Sequence, residues 1–325
     1  MDNVVQVAEV RFGGALTWLL ECVGVCAERA GRPYTPGVLA GLFGHAFEST
    51  YAARGGEVWS GCCFEWCHHA RGYRRLGLAC EAVDLIGNNP SLRPRPTPEE
   101  RAEALQRAWE LVHASVARGV PALAWNPMSL AQRDGGLNAF TWGLLEGCDE
   151  ATREYLVCHP AAGRFRTPFD KLGQVDPVQY LHIATFSGPD PAYSAERATR
   201  EAISDALATL RGEVAGADMP SPPKTLKHGV GAFYEWAGDV ETGRVKSPAS
   251  RSGWWSRART GAAEFCAWAT PSLPSSQAPL DAARSAFERQ AAEFRSIADG
   301  DATSDRIRRI ARLQDEAIAA LAAAG

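Results

Sequence analysis

Residues 141–165 read "TWGLLEGCDEATREYLVCHPAAGRF". An apolar run from Trp142 to Cys148 ends in turn-forming residues, and a second from Tyr155 to Cys158 ends in "HPAAG". Short apolar runs bounded by turn residues predict neighbouring antiparallel strands buried on both faces. "VPALAWN" upstream and "QYLHIATF" downstream have the same character. The middle of the chain is therefore expected to be an antiparallel sheet.

Upstream the pattern is helical. Leu16, Leu19, Leu20, Val23 and Ala27 recur at helical period, and the helix is expected to stop near Gly31. A short helix, "TPGVLAGLFG", follows with Thr35 as N-cap and Pro36 first. "GCCFEW" and "ACEAVDLI" read as extended segments around the helix "CHHARGYRRLG". Thr97, Pro98, Glu99 and Glu100 form a helix start leading into "RAEALQRAWELVHASVARG". Helices first and sheet second predict an α+β fold. After Gly188 the patterns are helical only, so a boundary is expected near residue 190, with domains 1–190 and 191–325.

The 325 residues are 46% hydrophobic, enough for a sizeable core, and the net charge of -4 with no block of like charges excludes an obvious nucleic-acid or acidic-membrane partner. A small-molecule substrate or a protein partner fits better. Nine cysteines, an odd number without a disulfide-framework spacing, predict reduced thiols in a cytoplasm. "GALTWLLECVGVCA" is preceded by Asp2 and Glu9 and carries Glu21, which reads as a core helix rather than an export signal. No run approaches the roughly 20 apolar residues of a membrane span.

Four stretches, "GGALTWLLECVG", "GLFGHAFE", "VPALAWN" with "TWGLLEGCDE", and "YLVCHPAAGRF", resemble the C39-like, papain-fold family of butirosin biosynthesis protein H N-terminal domains. "GVGAFYEWAGDV" and the tryptophan-rich helix after it are also similar. The resemblance implies a papain-like sheet with N-terminal helices, followed by a helical half. It also implies a cysteine opening the first helix, a histidine opening the strand "TWGLLEG" and an Asp or Asn ending the next strand, acting as nucleophile, base and orienting group. This sequence departs at all three: Arg11, Phe12, Gly13 and Gly14 surround the expected cysteine, Thr141 matches the histidine, and His159 the orienting residue. The triad is degenerate, and an orthodox cysteine peptidase is not expected.

Other candidates come from the residues themselves. His45 and Glu48, three apart beside flanking glycines, are candidates for an acid/base pair, or else belong to a helix end and turn; the resemblance places them beside the family's cleft. Glu65, read on the following strand, is the next candidate base. Trp125, Asn126 and Glu146 stand at predicted strand ends and are candidate substrate contacts. Glu146 is expected at a strand end in water, the commoner case, or else partnered. His159 and Arg164 flank a glycine-containing turn, where they hold an anionic group or Arg164 only staples the turn. The cluster Cys62, Cys63, Glu65, Cys67, His68, His69 lacks the paired spacing of a zinc site, so no metal is assigned and no cofactor is expected. Phe233, Tyr234, Trp236, Trp254, Trp255, Phe265 and Trp268 read most simply as helical core.

Three functional expectations follow. The first is a specialised-metabolite enzyme working by acid/base and electrostatic catalysis, in group transfer or in a ring closure such as aziridine formation. The second is an acyltransferase whose nucleophile has moved to Cys62 or Cys63. The third is a non-catalytic subunit completing a site with a small partner or carrier protein.

Overall fold

The strands around residues 141–165 lie inside one antiparallel sheet. A computed structural model describes residues 4–54, 56–59, 65–84, 96–127, 142–175, 178–179, 181–213 and 227–325. The fold is α+β, and the chain divides into two compact units: Met1–Tyr34 with Leu76–Tyr193, and Thr35–Arg75 with Ser194–Gly325.

The first unit contains β1 (Val4–Gln6), α1 (Trp18–Arg29), β4 (Leu78–Asp84), α4 (Pro98–Ala117), β5 (Ala122–Trp125), β6 (Trp142–Asp149), β7 (Glu154–His159), β8 (Gly163–Pro168), the short pair β9 (Gln174–Val175) and β10 (Val178–Gln179), and β11 (His182–Pro189). Its sheet runs β4-β11-β5-β6-β7-β8, and β1 pairs with β6. Every residue of β5 and β6 is buried, so both faces are covered. On one face Leu105, Ala108, Trp109 and Val112 of α4 pack against Ala124, Leu145, Val157 and Ile183. The buried residues of α1, Leu19, Leu20, Cys22, Val23 and Cys26, share nothing with that cluster and serve the other face. The capping box on α4 is complete: Thr97 Oγ1 accepts from Glu100 N at 3.2 Å and Thr97 N donates to Glu100 Oε2 at 2.8 Å.

The second unit contains α2 (Pro36–Leu42), β2 (Thr50–Arg54), β3 (Glu57–Trp59), α3 (Glu65–Arg75), α5 (Ala195–Arg211), β12 (Lys227–His228), α6 (Val230–Glu241), α7 (Ser252–Ala269), α8 (Gln277–Ala298) and α9 (Ser304–Ala324). A small sheet, β12-β2-β3, accompanies the helices. The segment expected in a first half running unbroken to residue 190 belongs here instead. The reason is packing. Arg75 donates to Leu42 O at 2.9 Å and pairs with Asp205 of α5, while α2 lies on α7 through glycines. A Cβ on Gly261 would stand 3.2 Å from Gly37 Cα, and one on Gly41 would run into the Phe265 side chain.

That close approach makes a signed prediction. Gly41→Ala gains helix propensity but drives a methyl into the fixed base of a buried ring, and is expected to cost about 1–3 kcal/mol. Gly231→Ala in α6 meets nothing within 4 Å and is expected to stabilise by about 0.4–1 kcal/mol. Urea titration of both variants checks the opposite signs.

Candidate functional site

In the first unit the decisive feature is a register shift. Leu145 pairs with Val157 and Gly147 pairs with Leu156, leaving Glu146 as an extra residue without a partner on β7. This is a β-bulge, a device that re-aims a side chain. Gly147 allows it: a Cβ there would stand 2.8 Å from Val5 O of β1. The carboxylate, 2% exposed, sits mid-strand and buried, not at a strand end in water. Burial of a carboxylate requires partners, and Glu146 Oε1 has two, accepting from Arg164 Nε at 2.8 Å and from Gln6 Nε2 at 3.3 Å. Glu146 Oε2 has no hydrogen-bond partner among the described residues. Arg164 also donates through Nη2 to Val10 O at 3.3 Å, while its side chain stays 49% exposed. Arg164 therefore joins a buried carboxylate to the surface rather than stapling its own turn.

His159 does the stapling. Its Nδ1 accepts from Ala161 N at 3.1 Å and Ala162 N at 2.9 Å, closing the β7–β8 turn. An Nδ1 used as acceptor leaves the proton on Nε2, and burial holds the imidazole below its ordinary pKa. His159 is a neutral, oriented ring here, so the expectation that it grips an anion by charge does not hold. Its edge meets Trp18, 39% exposed, at 5.3 Å between ring centroids. Trp125 ends β5 and Asn126 follows it, both buried. Trp125 packs on Trp142 at 5.0 Å, which packs on His182 at 5.5 Å, and Asn126 takes a left-handed φ of 50°.

The position expected for the nucleophile is also clear. Thr17 caps α1, its Oγ1 accepting from Leu20 N at 3.4 Å, and Trp18 is the first helical residue. Arg11–Gly14 precede the helix, and Gly13 N donates to Glu21 Oε2 at 2.8 Å. The buried thiols beyond them are protonated at neutral pH: burial pushes Cys26 far above its usual range and Cys148 and Cys266 up to about 12, and raises Cys158.

In the second unit Gly44, at a left-handed φ of 81°, ends α2 and turns the chain into the 3-10 segment His45–Phe47. His45 and Glu48 are both buried. Glu48 Oε1 accepts from Thr50 Oγ1. Burial pushes this carboxyl up to about 8, against the opposing pull of the Thr50 hydroxyl, the charges of Arg259 and Arg251 and the Trp255 indole. Arg259, fully buried, donates through Nε to Gln290 Oε1 at 3.0 Å, through Nη1 to Ala46 O at 2.7 Å, and through Nη2 to Ser49 Oγ at 2.8 Å and Gln314 Oε1 at 3.2 Å. Burial lowers its pKa to about 10, so it stays charged at neutral pH.

Glu65 opens α3 and is not on a strand. The apolar run before it suggested extension, but the helical pattern of the residues after it governs. Cys62 and Cys63 lie outside the described residues. Of the 62–69 cluster, His69 is buried with its ring 5.6 Å from Tyr73. Of the candidates, Glu146 and Arg164 are brought into direct contact in the first unit, while His45 and Glu48 are neighbours along the chain in the second. Sequence reasoning missed Gln6, Trp18 and Arg259. A glycine directly after a strand carboxylate, Gly147, was the one available sign of the bulge.

No protein-family model matches this chain, and no curated protein sequence matches it. Among the described residues, no helix is long and apolar enough to cross a membrane.

Proposed function

We propose that this chain is a cytoplasmic enzyme of specialised-metabolite, antibiotic-type biosynthesis, a papain-like framework acting on a small amine-bearing intermediate without a covalent cysteine. The observation supporting this reading is Glu146: a bulged, buried carboxylate whose second oxygen has no hydrogen-bond partner among the described residues. Such an oxygen suits an ammonium or amine N–H, which would be desolvated on arrival. Arg164, half exposed and bonded to the same carboxylate, stands ready to hold an anionic leaving group or a substrate carboxylate. In the group-transfer or ring-closing version, Glu146 orients the amine and takes its proton as the nitrogen attacks, and the leaving group departs toward Arg164. The protonated buried thiols favour this route over thiolate attack at those positions. The relocated nucleophile at Cys62 or Cys63 remains the competing enzymatic reading.

A structural reading has its own support. Arg164 and Gln6 bridge Glu146 to the N-terminal segment, as a staple in a non-catalytic partner subunit would. Thermal-shift measurement separates the two, because a ligand that binds only the folded state raises Tm. Ethylamine and β-alanine are expected to raise the wild-type Tm where ethanol and propionamide do not, and Glu146→Gln is expected to remove the difference. Equal responses to amines and their uncharged counterparts, or an undiminished response in Glu146→Gln, would overturn the proposal.

A further inference from the structure

The buried polar centre of the second unit is arranged for a proton rather than for an ion pair. Glu48 is 2% exposed, one oxygen takes the Thr50 hydroxyl, and beside that bond the Trp255 indole is the other uncharged group that favours its anion. Arg259, whose charge bears on Glu48, commits four of its five N–H donors elsewhere. Arg259 spends its donors on Gln290, Ala46, Ser49 and Gln314, and both amides are locked in place, with Gln290 Nε2 donating to Ile310 O at 2.9 Å and Gln314 Nε2 to Leu210 O at 2.8 Å. Neither glutamine can swing away and free the guanidinium without stranding a helix carbonyl. None of the bonds of Arg259 goes to Glu48. An anionic Glu48 would therefore be a buried charge held by the Thr50 hydroxyl and the Trp255 indole without an ion pair, which costs more than a neutral carboxyl in the same place.

From these contacts we infer that docking of the His45–Thr50 segment onto α7 and α9 is a proton-operated latch, closed while Glu48 is neutral and loosened when Glu48 ionises. Within residues 45–50 the other titratable side chain is His45, and the remaining charges that bear on Glu48 come from outside the segment. On its own chain stand His45 and the neutral Ser49 and Thr50. The charged groups bearing on it from α7 and the residue before it are Arg259 and Arg251, and α8 and α9 contribute the amides Gln290 and Gln314. Tyr51, next on β2, is committed to Asp239 of α6 at 2.8 Å, and Asp239 in turn to Arg244 at 2.9 Å. The latch leads directly to the sheet of this unit: Ser49 O accepts from Gly229 N at 2.8 Å, and Thr50 pairs with His228.

The direction in pH follows from linkage. The folded carboxyl titrates near 8 and the ordinary one at 4.5. Between those values the folded state holds a proton that the unfolded state has lost, so this group's stabilisation is complete below about 4.5 and disappears as pH rises toward 8. In that window one bound proton lowers the folding constant by about tenfold per pH unit.

Three readouts on the full chain test the latch, independently of the amine-binding reading. Infrared spectroscopy of 13C-glutamate-labelled protein is expected to show one protonated carboxyl at pH 6 that vanishes above pH 8 in wild type and is absent from Glu48→Gln. Intrinsic-rate-corrected hydrogen exchange is expected to show residues 45–51 losing protection between pH 6 and 9 in wild type alone. The wild-type Tm is expected to fall across the same range more steeply than that of Glu48→Gln. Absence of the protonated carboxyl at pH 6 in wild type, a measurement that needs no variant to fold, overturns the inference. So does unchanged protection of 45–51 at pH 9.

Discussion

Arg259→Met is expected to destabilise the second unit by about 3–5 kcal/mol, read as a fall in the urea midpoint followed by far-UV circular dichroism. The cost comes from what is left behind. Gln290 Oε1 and Ala46 O, bonded to the guanidinium at 3.0 Å and 2.7 Å, lose their donor in a place water does not reach, and each stranded acceptor costs about 1–3 kcal/mol. Ser49 and Gln314 keep their mutual bond at 2.9 Å and lose less. Methionine fills most of the volume, so a cavity adds little. Arg259→Lys is expected to recover only part of the loss, since one ammonium cannot reach acceptors spread around a planar fork. Adding Gln290→Leu to Arg259→Met removes a stranded amide oxygen, so the double variant is expected to lose less than the sum of the two single losses. Additive losses would mean that the network does not act as a unit.

The same centre shows where reading a sequence stops. The helix boundaries were legible because their causes are local. Thr35 with Pro36 and Thr97 with Glu100 carry their own capping chemistry, and strand β6 is an apolar run between turns. Nothing local marks Arg259 as buried. "WWSRARTG" looks like a helix with a solvated polar face, and its fate is decided by Gln290 and Gln314, 31 and 55 residues away. The Glu146 bulge depends on pairing with both β7 and β1, and β1 is three residues long, too short for its pattern to be seen. Glu65 shows the converse failure, in which a run of apolar letters outweighed the helical period that follows it. Of the candidate site, residue types were readable and partners were not, because partners arise from contacts between segments far apart in the chain.

Trp236→Ala is expected to cost about 3–5 kcal/mol, and Tyr234→Ala, two residues earlier on the same helix, less than about 0.5 kcal/mol. Trp236 has no exposed surface and is enclosed by rings: Tyr51 stacks on it at 6.3 Å, Trp255 tilts against it at 5.2 Å, and Phe294 stacks at 6.4 Å. Three helices and β2 therefore meet on one side chain, and none can close the space without leaving the others, so the cavity term adds to the lost burial. Its indole nitrogen has no partner among the described residues, which makes Trp236→Phe the telling companion. Phenylalanine removes an unpaired buried N–H and keeps a ring, so its loss is expected to be well under half that of alanine. Tyr234 is 46% exposed and contributes nothing comparable. If these aromatics formed a ligand-binding cage instead of a core, the order would change: Trp236→Ala would leave the urea midpoint nearly intact and abolish binding. Near-equal midpoints for Trp236→Ala and Tyr234→Ala would therefore reassign the aromatic cluster from scaffold to site.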